Sequence, residues 1–273
     1  MVDSRDTEIA AGSPRVLFLL RAYNDIDHIT PIIWKALEQG WRVHFVFVDK
    51  DFSDDYRVQF LVKQGAKHAK ATVIRWYCQY FVPKGSSGLL LRSFNTALLT
   101  LFGLLFLIRH RVQIVVTEWT GHFGRNRAVY FLRSAKFLAV PTYAVPHGYF
   151  LWRNSHFNQH VEKIVTETGK YPDFSDRNWF TRYVVQSEEH KVENERYGMT
   201  PSKIKVLGSA RFCAEWMRIN EDLIPICGLE KRDPRQFVVL FFLPHWDYQV
   251  ERERCISLLT KIIELNELLL VIK

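Results

Sequence analysis

Short apolar runs alternate with helical patterns along most of the chain, which is how the β-α-β units of a parallel sheet are written in sequence. Val16–Leu20 is the first such run and predicts a strand. Thr30 fits a helix N-cap with Pro31 at the first helical position, and Ile32, Ile33, Ala36 and Leu37 form an apolar face that ends before Gly40. Val43–Val48 predicts a second strand, Thr72–Tyr77 a third, Leu89–Ile108 a long helix and Val112–Thr117 another strand. A helix from about Asn126 to Lys136 and a strand from about Leu138 to Val145 continue the alternation.

Tyr149–Thr181 is rich in aromatic and polar residues and contains Pro172, so it predicts an irregular insertion. Regular patterns return with a strand at Tyr183–Gln186, a charged helix capped by Ser187 and ending at Gly198, a strand at Ile204–Leu207 and a helix from about Phe212 to Asp222. Pro225, Gly228, Pro234 and the charges at 230–233 mark a linker. Phe237–Leu243, a helix over Glu251–Leu265 with Ile256, Leu259, Ile262 and Ile263 inward, and a strand at Leu268–Ile272 then begin a new unit. The pattern divides the chain into a tail (1–14), a Rossmann-like N-terminal domain (15–224), a linker (225–236) and an incomplete C-terminal domain (237–273). A lone β-α-β cannot bury both faces of its sheet, so the chain is expected to be a truncated form of a longer two-domain protein.

Composition narrows the class. With 273 residues, 48% hydrophobic and 24% charged, the chain is globular and long enough for an enzyme. Its net charge of +8 favours anionic partners, but the basic residues are dispersed and no nucleic-acid-binding motif accompanies them, so nucleic acid is not expected. Cys78, Cys213, Cys227 and Cys255 stand far apart, without C-x-x-C, and predict thiols rather than a metal or redox centre. The polar, acidic start lacks a signal-peptide pattern, so a cytoplasmic location is expected. Ser93–Ile108 is too short for the roughly 20 apolar residues of a membrane span. Its helix is apolar nearly all round and flanked by Arg92, Arg109, His110 and Arg111. Burial is the favoured reading, and contact with an anionic membrane at its inner face the other.

Ligands of open parallel sheets bind beyond the carboxyl ends of the strands, which directs attention to the residues after each run. Asn24 follows the first strand; Glu118, Gly121, His122 and Arg125 follow the fourth, in either a substrate-lining loop or a glycine turn with a solvated arginine. After the fifth strand come His147, Gly148 and Arg153. A histidine there can take a proton from an acceptor hydroxyl, worth roughly 10²- to 10⁴-fold in rate. Gly208, Ser209 and Arg211 join a strand to a helix and suit a phosphate, although no glycine-rich phosphate fingerprint accompanies them. His245 and Trp246 close the first strand of the second unit and are candidates to line a cleft. No carboxylate or histidine set stands at metal-ligand spacing, and no metal is expected.

These stretches resemble the GT-B glycosyltransferase superfamily, nearest to the CDP-glycerol glycerophosphotransferase and surface-polysaccharide transferase group, with UDP-N-acetylglucosamine epimerases as more distant relatives. Three segments carry the resemblance: His147–Gly148, Tyr183–Arg211 (YVVQSEEHKVENERYGMTPSKIKVLGSAR) and Phe242–Asp247 (FLPHWD). His245 stands where that group usually has threonine, and YFLWRN follows Gly148 in place of T-P-L-K. The resemblance implies a GT-B-like α/β fold and transfer of a sugar or polyol phosphate from a nucleotide-activated donor to a hydroxyl of a glycan or lipid-linked acceptor, in surface-polysaccharide or teichoic-acid-like synthesis. It implies no cofactor beyond that donor. His147 would be the base and Arg211 part of the leaving-group site; the truncated chain would hold the acceptor half and be inactive. A UDP-sugar epimerase-like enzyme and a non-catalytic remnant binding glycan or anionic lipid are the alternatives.

Overall fold

The computed structural model describes residues 12–48, 50–69, 89–118, 128–146, 159–171, 173–224, 235, 237–242, 250–265 and 267–272. The chain divides into two compact units, one of Met1–Phe150 with Asp173–Leu223, the other of Leu151–Pro172 with Ile224–Lys273.

The first unit is built on β1 (Arg15–Leu20), α1 (Tyr23–Glu38), β2 (Arg42–Phe47), α2 (Tyr56–Lys63), β3 (Lys67–Ala69), α3 (Leu89–Arg109), β4 (Ile114–Glu118), α4 (Ala128–Phe137) and β5 (Thr142–Val145). It continues after residue 173 with β6 (Arg182–Val185), α6 (Glu188–Arg196), β7 (Ile204–Val206) and α7 (Ala214–Leu223), while α5 (Gln159–Thr168) belongs to the second unit. The seven strands form one parallel sheet in the order β3-β2-β1-β4-β5-β6-β7. β1 is central, and Val16 to Leu20 are all at most 1% exposed. Such side chains contribute about 1.5–3 kcal/mol each through burial, which is why this run is the plainest strand in the sequence.

Several elements differ from the sequence pattern. α1 begins at Tyr23, so Thr30 and Pro31 lie inside it rather than at its start. The Asp25 carboxylate in the first turn accepts the Arg21 backbone N–H at 2.7 Å, and the Thr30 hydroxyl donates to the Ile26 carbonyl at 2.5 Å, beside the bond that Pro31 cannot make. Ile26, Ile29, Ile33 and Ala36 then fall on the buried side, and Trp34 meets Trp216 of α7 with ring centroids 6.0 Å apart. α2 and β3 are absent from the sequence-predicted pattern; α2 starts where the Asp55 side chain caps the Arg57 N–H at 2.9 Å. The strand predicted over 72–77 lies outside the described residues. Within the supposed irregular insertion, α5 (Gln159–Thr168) and a 3₁₀ turn at Ser175–Trp179 are regular. The Ser187 cap holds, its side chain accepting the His190 N–H.

Over residues 96–109, α3 is buried on one side only. Leu99, Gly103 and Leu107 are covered, while Leu101, Leu105 and Ile108 stay about half exposed. Gly103 sets the approach to α4: a Cβ there would stand 2.7 Å from Ser134 Oγ and 3.3 Å from the Tyr130 carbonyl.

The second unit holds α5 and a parallel pair, β8 (Phe237–Phe241) and β9 (Leu268–Ile272), joined through α8 (Arg252–Ile263). No described residue of α8 is buried; Ile256 and Ile263, expected inward, are 48% and 66% exposed, while Leu259 and Ile262 are partly covered. A two-stranded sheet is too narrow to cover a whole helix face.

Candidate functional site

Strand order reverses direction at the β1/β4 seam: β2 and β3 extend from β1 on one side, and β5 to β7 from β4 on the other. Right-handed crossovers send the connections from these two halves to opposite faces, so a crevice opens beyond the carboxyl ends of β1 and β4. Three charged side chains meet there. Arg21, directly after β1, donates through Nε to Asp25 Oδ2 at 3.1 Å and through Nη2 to Asp25 Oδ1 at 3.3 Å. The same Nη2 donates to Oε2 of Glu118, the last residue of β4. Asp25 and Glu118 are 1% and 0% exposed, so two buried carboxylates share one guanidinium. Burial pushes the Asp25 carboxyl above its ordinary value, against the opposing pull of Arg21. Two carboxyl groups brought together in a buried site by one guanidinium are an arrangement able to move a proton.

A second charged cluster lies at the starts of α1 and α2. Arg57 is 3% exposed and chelates Asp55 with Nε–Oδ1 at 2.9 Å and Nη2–Oδ2 at 2.7 Å, while its Nη1 donates to Asp27. The Tyr23 and Tyr56 rings lie 4.8 and 5.2 Å from its guanidinium carbon. Asp27 also receives Arg211, at 3.5 Å.

Of the sequence-predicted site residues, Asn24 is exposed in the first turn of α1, and Glu118 is buried at the seam. Gly208 adopts φ +78°, a conformation that costs other residues, and turns the chain into Ser209. Ala210–Phe212 form a 3₁₀ turn, and the helix expected from about Phe212 starts two residues later, at Ala214. Arg211 is held by Asp27, a pairing that no spacing in the sequence announced. Arg21, Asp25, Asp27 and Arg57 were not among the predicted site residues. The Arg21–Asp25 spacing of four residues is a helical spacing, and it becomes a signal once α1 is known to start at Tyr23. Gly121, His122, Arg125, His147, Gly148, Arg153, His245 and Trp246 lie outside the described residues. Among the described residues no group of three or more His, Cys, Asp or Glu side chains could hold a metal ion. No helix among them is long and apolar enough to cross a membrane.

The architecture matches solved structures. The UDP-GlcNAc 2-epimerase of Neisseria meningitidis, bound to UDP-GlcNAc, is similar at TM-score 0.55 and 12% identity over 94% of this chain and 65% of that one. A putative UDP-N-acetylglucosamine 2-epimerase of Listeria monocytogenes gives 0.56 and 13% over 95% of this chain and 62% of that one. A glycosyltransferase of Rickettsia africae gives 0.51 and 12% over 96% and 69%. The chain thus spans somewhat under two thirds of the two epimerases it resembles. No protein-family model matches the sequence, and a comparison with curated proteins finds no match. The fold is GT-B-like: α/β, with a Rossmann-like parallel sheet.

Proposed function

We propose that this protein acts on a nucleotide-activated sugar, with the β1/β4 crevice as the site of chemistry. The observation that carries the reading is the trio Arg21, Asp25 and Glu118 at the switch point of a sheet whose architecture is shared with an enzyme solved with UDP-GlcNAc. Gly208, Ser209 and Arg211 are proposed to receive the phosphates, with Arg211 exchanging Asp27 for the ligand. Asn24, Gly121, His122, Arg125, Gly148 and Arg153 are proposed to contact the sugar or acceptor, and His245 and Trp246 to line the cleft.

Two reactions fit. In the first, His147 removes a proton from an acceptor hydroxyl, which attacks the activated carbon or phosphorus as the nucleotide leaves; a CDP-glycerol-type transferase is one form of this. In the second, two acidic side chains serve as acid and base in epimerising the sugar, and the buried Asp25 and Glu118 held by Arg21 support it. Incubation with UDP-GlcNAc separates them. A transferase releases UDP only when acceptor is added, and His147→Ala abolishes that release. An epimerase forms the C2 epimer without acceptor and takes solvent deuterium at C2. Absence of UDP-GlcNAc binding by calorimetry refutes both for this donor.

For a transferase, we propose a lipid-linked acceptor presented at an anionic membrane. The half-exposed Leu101, Leu105 and Ile108 of α3, followed by the exposed Arg109 and Arg111, support that partner.

A further inference from the structure

A cavity of about 670 Å³ lies within the first unit, between α1 and one face of the sheet. The volume falls in the range of about 300–1,000 Å³ typical of ligand sites. Phe18, Val116 and Tyr143 line it from the sheet, and Ile32 and Ala36 from α1. At the carboxyl end of the strands Ser209 and Cys213 line it too.

The chemistry of the walls selects the occupant. They are largely apolar, so a nucleobase or sugar placed there would lose hydrogen bonds to water without replacements, whereas a hydrocarbon chain has none to lose. Two turns of a partner helix, at a diameter of about 10 Å, occupy roughly 850 Å³, more than the cavity holds. The lining contains no Asp or Glu, yet contains His28 and Lys35. His28 is buried, and Lys35 is half exposed with its ammonium 3.0 Å from Glu38 and 3.7 Å from Glu215. These exposed pairs are weak and exchangeable.

We propose that this cavity binds a single-chain anionic amphiphile, its hydrocarbon chain between α1 and the sheet and its head group within reach of Lys35 or His28. The cavity shares Gly208 and Ser209 with the phosphate site proposed above, but its apolar part between α1 and the sheet lies outside that site, and its occupancy is read out without nucleotide.

The test is titration of the whole chain with a fluorescent fatty acid, followed by displacement with laurate or with geranyl monophosphate. Saturable one-to-one binding is expected, displaced by laurate if the natural head is a carboxylate and by geranyl monophosphate if it is a phosphate. Ala36→Phe, which fills the cavity from α1, is expected to weaken binding at least tenfold without lowering Tm. Should that variant fold poorly, alkylation of Cys213 in the unaltered chain, followed by peptide mass spectrometry, replaces it: saturation with laurate is expected to slow Cys213 and leave Cys255 unchanged. Probe binding that does not saturate, or that neither ligand displaces, overturns the proposal. So does a Cys213 rate indifferent to bound ligand.

Discussion

Arg21, at the end of β1, donates its Nη2 to Glu118, at the end of β4, across the seam between the two central strands. Glu118 is 0% exposed, and that guanidinium compensates its buried charge. Removing one partner of a buried pair typically costs about 3–5 kcal/mol, because the other is left uncompensated. Arg21→Met is therefore expected to lower stability by about that amount in urea unfolding. The double variant Arg21→Met with Glu118→Gln is expected to recover part of it, the remainder reflecting Asp25, which also loses the guanidinium. Additive losses in this cycle would mean that the two side chains are energetically independent.

Acid is expected to act through His44. Its ring lies 4.6 Å from that of His110, and burial first, then the charges of His110, Lys67 and Arg15, push it down to about 4 from an ordinary 6.5. Between those values the unfolded chain binds more protons than the folded one, so stability rises with pH across that window. The contribution is complete above 6.5 and is lost as pH falls toward 4. Asp25, whose carboxyl is raised by burial, acts in the opposite sense, stabilising at low pH and losing that contribution as pH rises. Thermal melts from pH 4 to 7 are expected to show a smaller rise, or a fall, in His44→Gln. An unchanged slope would remove His44 from this role.

The α3–α4 contact leaves no space for a methyl group at Gly103. The obstructing Ser134 hydroxyl is fixed, its single O–H shared between the Thr100 and Tyr130 carbonyls at 2.7 and 2.8 Å. Overpacking costs about 1–3 kcal/mol, against a gain of about 1 kcal/mol from replacing a helical glycine by alanine. Gly103→Ala is expected to be destabilising alone and close to neutral when combined with Ser134→Ala, as chemical denaturation of the three variants would show.

Gly208 has open space around its Cα but φ +78°, so its substitution acts through the backbone. Gly208→Ala is expected to cost about 1–2 kcal/mol and to weaken UDP-GlcNAc binding several-fold by shifting Ser209 and Arg211. Gly65→Ala shares a positive φ, +101°, but lies after α2, away from the proposed site. It is expected to lose stability without affinity, and equal loss of affinity in both variants would detach Gly208 from ligand binding.

The long apolar elements were legible in the sequence because burial dictates them. β1 and β2 are nearly continuous apolar runs, and α3 carries apolar residues over its whole length. β3 was not, being three residues long with Lys67 and His68 in it, and held by its pairing with β2. The start of α1 was obscured by Pro31, whose usual place at a helix start outweighed the polar turn of Tyr23–Asp25. That error hid half the site. With α1 starting at Tyr23, Asp25 comes under Arg21, whereas Glu118 needed only its position after a strand. The Asp27–Arg211 and Asp27–Arg57 pairings join distant segments and have no local signature.

The parallel pairing at the centre of the sheet has a consequence for synthesis. Val16 to Leu19 of β1 align with Ile114 to Thr117 of β4, so the most apolar strand finds one of its two neighbours only after nearly a hundred further residues have been made. At about 5–20 residues per second that wait lasts roughly 5–20 s, with one edge of Val16–Leu20 unpaired. Long-range parallel pairing is slow to close for the same reason. The run that anchors the finished sheet is thus the segment most in need of shielding while the chain leaves the ribosome.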